Sequence, residues 1–223
     1  MTITHVVTEQ TTWKKIAEAI RSGNAKESFN VGDIITVDLK DGVTMRIAVA
    51  GINTYVENEV VFAFKDILPE EHYMNEHYTN EGGYEASDMA AYLDTDIFAL
   101  LPDDLQEVIK ERRGHKLWLF SRREVFGEDG RYICPDEDVH LPYYKETENR
   151  VKLRNGESDW WWLASPSAAN TTNFANVNNN GNSNNNNANN SNGVAPGFCV
   201  SMQSVGCGRH TFMQKERQSF PIG

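Results

Sequence analysis

The apolar positions near the start of the chain recur with the spacing of an amphipathic helix. Thr11 and Thr12 are suitable N-cap residues for this helix, and Gly23 is a suitable end. Its apolar face is expected to comprise Trp13, Ile16, Ala17 and Ile20. Residues 24–30 are interpreted as a linker. The sequence therefore predicts an N-terminal helix and linker over residues 1–28.

Three segments after this linker are predicted to form β-strands, and the first of them tends to alternate between apolar and polar residues. They are residues 31–39, 43–51 and 59–65. Asp41 and Gly42 lie between the first two segments and favour a tight hairpin turn. The pattern predicts a small antiparallel meander that serves as scaffold.

The middle of the chain is predicted to contain several short helices and one buried strand. Ser87 is a good N-cap for a first helix, and residues 96–101 and 103–109 have the apolar spacing of two more. Residues 116–120 (KLWLF) have the composition of a short buried strand, and Ser121 is placed to cap the turn that follows. These elements are interpreted as core.

The most unusual pattern is an asparagine-rich segment enclosed by apolar residues. It spans residues 159–200, beginning with three consecutive tryptophans and ending with an apolar stretch. Fourteen of the 23 residues from 170 to 192 are asparagine. These are Asn170, Asn173, Asn176, Asn178, Asn179, Asn180, Asn182, Asn184, Asn185, Asn186, Asn187, Asn189, Asn190 and Asn192.

Two interpretations of this segment compete. Asparagine-rich low complexity usually marks a disordered polar tract. However, such a tract is rarely enclosed on both sides by burial-prone segments, and Phe174, Val177 and Gly181 interrupt the asparagines as inward-facing and turn positions would. Asparagine also tolerates left-handed backbone conformations and bonds its own backbone, which suits tight turns. The segment is therefore interpreted as a fixed apolar frame that carries many interchangeable polar surface positions.

The three tryptophans allow a structural and a functional interpretation. Strand alternation would place Trp160 and Trp162 on one face and Trp161 on the other. An exposed aromatic platform would be a typical binding hot spot, whereas a buried cluster would close the core beneath the asparagines. The buried cluster is favoured. The scaffold is then expected to comprise Trp160, Trp161, Trp162, Phe174, Val177, Gly181, Gly193 and Phe198.

The two ends of this segment resemble a known family pattern. Residues 159–166 (DWWWLASP) and 193–198 (GVAPGF) are similar to DWWWLRSP and GVRPAF, which enclose a variable stretch in a bacterial and prophage family of domains of unknown function. The stretch between them resembles the variable region of proteins diversified by retroelements, which replace bases at template adenines. Asparagine codons carry adenine at both specificity-determining positions, so the tract is similar to the undiversified state. Ala164 and Ala195 depart from the family, which has arginine at both positions, so the ion pairs of those arginines are in doubt here.

The resemblance covers residues 29–200 and implies an α+β fold of the C-type-lectin-like class. Formylglycine-generating enzymes share this fold, which has short antiparallel strands, few helices and long loops. Residues 201–223 are then a C-terminal tail. The implied function is non-enzymatic binding of a protein or cell-surface ligand, with the fourteen asparagines as the diversifiable contact positions. The alternative is a prophage structural or adhesion component in which the tract is a solvated loop.

Composition and charge narrow the classes of partner and compartment. A formal net charge of -11 opposes non-specific binding to nucleic acids or anionic membranes. No apolar run approaches the length of a membrane-spanning helix. Residues 1–7 lack the basic and apolar regions of a secretory signal, so synthesis in the cytoplasm is expected, with release in a phage particle as a further route.

No motif indicates catalysis or metal binding. His72 and His77 are five residues apart without an HExxH pattern, so a solvated loop is favoured over a metal site. Cys134, Cys199 and Cys207 match neither a disulfide framework nor a zinc spacing. The last two differ in spacing from the cysteine pair of formylglycine-generating enzymes. No metal, cofactor or enzymatic activity is therefore expected.

Overall fold

In the computed structural model, which describes residues 12–202, short antiparallel strands form four sheets. The strands are β1 (Ile34–Asp38), β2 (Thr44–Ile52), β3 (Glu59–Phe64), β4 (His72–Tyr73), β5 (Ile109–Lys110), β6 (Lys152–Arg154), β7 (Glu157–Asp159), β8 (Trp161–Pro166), β9 (Asn173–Val177), β10 (Ser183–Asn187), β11 (Ser191–Asn192) and β12 (Gly197–Ser201). The largest sheet has the order β1-β2-β3-β12-β5, and the second has the order β10-β9-β8. β11 pairs with β4, and β6 pairs with β7.

The helices are short and precede the second sheet in the chain. They are α1 (Trp13–Arg21), α2 (Ala25–Ser28), α3 (Asp88–Tyr92), α4 (Phe98–Leu100), α5 (Asp103–Gln106) and α6 (Arg122–Phe126). A π-helical turn at Leu93–Ile97 joins α3 to α4, and 3₁₀ turns at Pro142–Lys145 and Thr147–Arg150 precede β6. These helices and antiparallel sheets confirm the α+β class.

The side-chain caps predicted from the sequence are present in the described residues. Thr12 accepts a hydrogen bond from the Lys15 N–H, and Ser87 caps α3 in the same way. Ser121 and Glu124 form a capping box at the start of α6. The Ser121 hydroxyl accepts a hydrogen bond from the Glu124 N–H, and the Glu124 carboxylate accepts one from the Ser121 N–H. These local signals fix where three of the helices begin.

Aromatic packing attaches α1 to the largest sheet. The Trp13 ring meets the ring of Phe62 edge-on at 5.3 Å and that of Phe198 at 5.6 Å. Phe62 and Phe198 are themselves stacked at 5.2 Å, because β3 and β12 pair with these two residues in register. The predicted N-terminal helix thus packs on the same core as the end of the asparagine-rich segment.

β12 brings the end of the asparagine-rich segment into the interior of the largest sheet. All five of its residues are buried, as are all six of β3 beside it. On its other side β12 pairs with β5 through Cys199 and Val200. The tract before β12 is therefore anchored at its C-terminal end by backbone hydrogen bonds to strands from two distant parts of the chain.

The structure differs from the predicted elements in several places. The helix predicted over residues 103–109 ends at Gln106, and Ile109 belongs to β5. His72, predicted in a solvated loop, is half-buried in β4. Residues 117–120 are buried and Lys116 is half-buried, but this segment forms no strand, because Trp118 exchanges only one pair of backbone hydrogen bonds with Gly197 and β5 pairs with the next part of β12. The predicted linker at residues 24–30 contains α2. Ser201, assigned to the tail, ends β12, and the rest of the predicted tail beyond Met202 lies outside the described residues, as does Thr11.

Candidate ligand-binding surface

The asparagine-rich segment is folded as a hairpin of β9 and β10 with a five-residue turn. β9 is the central strand of the second sheet and is buried along its whole length, whereas β10 is the edge strand. In the turn, Asn178 Oδ1 accepts hydrogen bonds from the backbone N–H groups of Asn180 at 3.0 Å and Asn182 at 2.9 Å. Gly181 has φ +78°, and a Cβ there would lie 3.1 Å from the Thr147 carbonyl. Residues 173–187 thus form a regular hydrogen-bonded hairpin and not an irregular tract.

The fourteen asparagines differ in exposure. Seven are exposed, namely Asn170, Asn179, Asn180, Asn182, Asn184, Asn189 and Asn190. Four are half-buried, namely Asn178, Asn185, Asn186 and Asn187. We call these eleven residues the Asn-rich surface.

The remaining three asparagines are buried, which corrects the expectation that all fourteen are surface positions. Asn173 is 9% exposed and donates to Asn185 Oδ1 at 2.6 Å. Asn176 is 0% exposed, and neither of its amide atoms has a hydrogen-bond partner among the described residues. Asn192 is 8% exposed, and its Nδ2 is likewise without such a partner. Asn173 and Asn176 belong to the frame because β9 is covered on both faces, and Asn192 belongs to it because its own side of β11 is buried while Ser191 is exposed.

Most hydrogen bonds of the Asn-rich surface are local. Asn184 Oδ1 accepts from the N–H of Asn185 at 2.8 Å, and Asn186 Oδ1 accepts from the N–H of Asn187 at 2.9 Å. Bonds of this kind hold a turn or strand end without linking it to distant residues. Asn185 is the exception, since its Nδ2 donates to the Tyr132 hydroxyl at 3.2 Å. Most of the surface side chains can therefore change without breaking a long-range contact.

The tryptophans form part of the buried frame and not an exposed platform. Trp161 and Trp162 lie on opposite faces of β8, and both are fully buried because both faces of that strand are covered. Their indole N–H groups donate to the backbone carbonyls of Arg150 and His72, each at 2.9 Å. Trp160 precedes the strand and is half-buried. Phe174 and Val177 of β9 are fully buried as well.

Two glycines of the frame allow backbone segments to approach each other closely. A Cβ on Gly193 would lie 2.5 Å from the Trp160 carbonyl oxygen and 2.6 Å from Ile67 Cγ2. A Cβ on Gly197 would lie 2.2 Å from the ring of Phe120. Since real Cβ contacts are never this short, any other residue would displace its neighbours. Phe198, next to Gly197, is fully buried in β12.

Asn80 and Tyr132, which lie far from the asparagine-rich segment in the sequence, form hydrogen bonds to its backbone. The Asn80 amide donates to the carbonyls of Ser167, Asn170 and Asn173 at 3.1, 3.0 and 2.9 Å. Tyr132 lies under β10 and donates to the Asn184 carbonyl at 3.3 Å. The sequence shows no sign of these bonds, because no local pattern marks a contact between such distant positions.

A buried ionic network supports α6 beside the second sheet and has no counterpart in the sequence-based predictions. Arg112 is 3% exposed and pairs with Glu124 at 3.0 Å and Asp138 at 2.5 Å. The Tyr55 hydroxyl donates to the same Glu124 carboxylate, and the Arg112 guanidinium lies over the Tyr55 ring. The pKa of Glu124 is raised, because the effect of burial exceeds the opposite effect of the positive charge on Arg112. Because the charged groups of Arg112, Glu124 and Asp138 are buried and paired with one another, this network is a structural support.

Thiol and metal chemistry receive no support from the described residues. Cys199 is buried in β12, where burial raises its pKa to about 12, so it is a poor nucleophile. Burial also raises the pKa of Cys134, which lies in a cleft of about 430 Å³ beside Ser165. Cys207 lies outside the described residues. Among residues 12–202 no group of His, Cys, Asp and Glu side chains is arranged to hold a metal ion. His72 instead stacks on Tyr92, with ring centroids 4.1 Å apart.

Comparison with known proteins places this arrangement in a family. By its structure the chain is an α+β protein in which a buried frame lies beneath an uncharged, asparagine-rich surface. Residues 58–202, well over half of the chain, match the family described as a domain of unknown function, DUF6273. The chain belongs to this family. No curated protein and no solved structure shows significant similarity to it. Within residues 12–202, no helix is long and apolar enough to cross a membrane.

Proposed function

We propose that this chain is a non-enzymatic ligand-binding protein and that the Asn-rich surface is its binding site. One observation carries the proposal: eleven of the fourteen asparagines are exposed or half-buried on and beside a hairpin whose inner strand, β9, is buried along its whole length. The frame residues include Trp161, Phe174 and Val177. Such a division separates residues that determine the fold from residues free to contact a ligand.

The chemistry of asparagine suits a binding surface that is completed by substitution. Its side chain is small and polar and carries both donors and acceptors, but it offers little apolar area to desolvate. Replacement of some asparagines by Tyr, Ser, Asp, His or Gly would add rigid aromatic anchors among adaptable polar contacts, as in antibody loops. The protein with every asparagine in place is therefore expected to bind weakly.

The proposal includes diversification by a retroelement and a C-type-lectin-like fold. The support for diversification is the pair of enclosing sequences at residues 159–166 and 193–198, together with the asparagines between them. The support for the fold class is the combination of small antiparallel sheets, short helices and long irregular connections. The alternative of a solvated connector in a prophage structural or adhesion protein is less favoured, because β9 and β10 are hydrogen-bonded in register.

A display selection with two matched libraries tests the binding site. The first library randomises six exposed asparagines, Asn179, Asn180, Asn182, Asn184, Asn189 and Asn190. The control library randomises six exposed charged residues elsewhere, Lys15, Glu18, Lys26, Glu27, Glu57 and Glu157. Both are selected against the same panel of purified proteins, with the unsubstituted chain as reference.

The expected result is that binders come from the first library and are enriched in tyrosine at the randomised positions. The control library should give few or none, because its positions lie outside the Asn-rich surface. Equal yields from the two libraries, or no binders from the first, would contradict the proposed site.

A further inference from the structure

The acidic charge of the chain is concentrated in one segment. From residue 66 to residue 109 there are twelve acidic residues and no lysine or arginine, so this segment alone carries a formal charge of -12 against -11 for the whole chain. The twelve are Asp66, Glu70, Glu71, Glu76, Glu81, Glu85, Asp88, Asp94, Asp96, Asp103, Asp104 and Glu107. Glu70, Glu76 and Glu81 are exposed and form no ion pair with another described residue. The rest of the chain is close to neutral.

This acidic segment borders the Asn-rich surface and is hydrogen-bonded to it. β4 pairs with β11, and the N–H groups of Met74 and Asn75 donate to the Ala188 carbonyl at 2.9 and 3.0 Å. At the other end, the N–H of Asn80 donates to the Thr171 carbonyl at 2.7 Å. Residues 72–80 thus form one edge of the surface at fixed distance from the exposed asparagines.

Aromatic rings lie on the same edge. His72 stacks on Tyr92 with an interplanar angle of 12°, and the Tyr73 ring lies 4.4 Å from that of His72. All three are half-buried, and Tyr78 nearby is 55% exposed. Burial raises the pKa of Tyr92, and the negative charges of Asp96 and Glu70 raise it further.

An unsatisfied donor also faces this edge. Asn192 lies directly opposite His72 in the β4–β11 pair, so their side chains share one face. Its Nδ2 is buried and has no hydrogen-bond partner among the described residues. A buried amide donor without a partner is uncommon in a folded protein, and a backbone carbonyl of a bound peptide segment would accept its hydrogen bond.

The asparagine-rich segment carries no charge beyond residue 166. From residue 167 to residue 202 there is no Asp, Glu, Lys, Arg or His. On the opposite edge, Arg122 donates to Ser183 Oγ but is paired with Glu128, and the Arg131 guanidinium lies over the Tyr132 ring. The excess negative charge beside the surface therefore comes from the acidic segment, whichever residues replace the asparagines.

We propose that an acidic–aromatic flank, formed by Glu70, Glu76 and Glu81 with the rings of His72, Tyr73 and Tyr92, is a fixed part of the binding face and selects cationic protein segments rich in arginine and lysine. Carboxylates attract positively charged segments at separations up to about one Debye length, and the arginine guanidinium stacks on aromatic rings. The inference rests on the proposed function, because the flank acts beside the Asn-rich surface.

Fluorescence anisotropy with a labelled deca-arginine peptide tests the flank at an ionic strength of about 0.15 M, where distant charges are screened. The variant Glu70→Gln/Glu76→Gln/Glu81→Gln should weaken binding by about fivefold, as expected for the loss of three nearby charges. The control Glu18→Gln/Glu27→Gln/Glu57→Gln removes the same charge from exposed positions elsewhere and should change the Kd by less than about twofold. Equal weakening by both triple variants, or no binding by the wild type, would overturn the inference.

A second pair of variants tests the rings. Tyr92→Leu removes the aromatic face and should weaken binding by about threefold, whereas Tyr92→Phe retains the face and should leave binding unchanged. Equal effects of the two variants would show that the ring makes no contact with the peptide and would overturn the aromatic part of the flank.

The two proposals fail separately in these experiments. If the display library gives binders whose affinity does not respond to the flank triple variant and the peptide result is also negative, the inference fails and the proposed function stands. If the peptide responds as expected but the library gives no binders, the flank stands and the proposed function of the asparagines fails.

Discussion

Asn176 is a fully buried residue whose amide satisfies none of its hydrogen-bonding capacity within the described chain. It lies opposite Trp162 on one neighbouring strand and Asn184 on the other, in the centre of the second sheet. A buried donor or acceptor without a partner loses its bonds to water and gains none in return. This residue therefore reduces the stability of the frame.

Replacement of Asn176 by an apolar residue of similar size should stabilise the protein. We expect Asn176→Leu to raise the free energy of unfolding by about 1–3 kcal/mol, because it removes an unsatisfied amide and keeps the volume filled. Thermal unfolding followed by circular dichroism measures the change in Tm. Asn173→Leu is the control, and it should lower the Tm because it breaks the 2.6 Å bond to Asn185. A decrease in both variants would contradict the description of Asn176.

Lys152 is the second residue with a marked energetic consequence. It is fully buried beside the Tyr144 and Trp161 rings, and its Nζ donates to the carbonyls of Phe64 and Lys65. Burial lowers its pKa from 10.5 to about 7. Between these two pH values the unfolded chain binds a proton that the folded chain does not, so the stability rises with pH.

This linkage is measurable as a difference between two proteins. The free energy of unfolding of the wild type, relative to that of Lys152→Met, should increase between pH 7 and pH 9 with a slope that approaches about 1.4 kcal/mol per pH unit. Glu59, whose pKa burial raises to about 7, is present in both proteins and cancels. Urea unfolding at several pH values provides the data. A difference that is constant or falls with pH would show that Lys152 stays charged in the folded protein.

At the scale of elements, the β9–β10 hairpin combines a fixed inner strand with a replaceable outer strand and turn. β9 is packed on both faces, whereas the turn and β10 hold themselves mainly by asparagine side chains bonded to nearby backbone. The hairpin is therefore expected to keep its conformation when its outer side chains change.

A comparison of surface and frame substitutions tests this property of the hairpin. The triple variant Asn179→Ser/Asn180→Ser/Asn184→Ser should lower the free energy of unfolding by less than about 0.5 kcal/mol per position, as is usual at exposed sites. Val177→Asp and Trp162→Ala should each lower it by about 3–5 kcal/mol, because one buries a charge and the other leaves a cavity. Denaturant unfolding measures both classes. Comparable losses in the two classes would contradict the separation of frame and surface.

The sequence predicts those elements whose signals are local. The caps at Thr12, Ser87 and Ser121 and the first three strands follow from short patterns, and the structure confirms them. The pairing of β12 with β3 and of β11 with β4 joins positions more than one hundred residues apart, and no local pattern marks it.

The composition of the candidate site is likewise predictable only in part. Apolar frame residues such as Trp161 and Phe174 are recognisable because they are burial-prone. The division of the asparagines into exposed and buried sets is not, since a run of one residue type has no polar–apolar periodicity. The burial of Asn173, Asn176 and Asn192 depends on which strands cover them. The buried ion pairs of Arg112 are hidden for the same reason, because their charges look like surface residues in the sequence.

At the scale of the whole molecule, the chain combines a rigid core, a neutral surface and an acidic edge. The core runs from α1 through the largest sheet to the second sheet, and the Asn-rich surface lies at the outer edge of that second sheet. The formal net negative charge of the chain arises from residues 66–109, of which residues 72–80 border that surface. A fixed edge and a replaceable surface would together give a family of variants with different ligands and a shared preference for cationic partners.

The central claim is that the Asn-rich surface varies while the frame beneath it is fixed, and deep sequencing of the gene and its neighbourhood from a growing population tests it most directly. We predict adenine-specific changes concentrated in the codons of the eleven surface asparagines, no changes at Trp161, Phe174 or Val177, and a reverse transcriptase gene with a near-copy repeat nearby. An invariant asparagine tract without such neighbouring sequences, or changes spread equally over surface and frame codons, would contradict the claim.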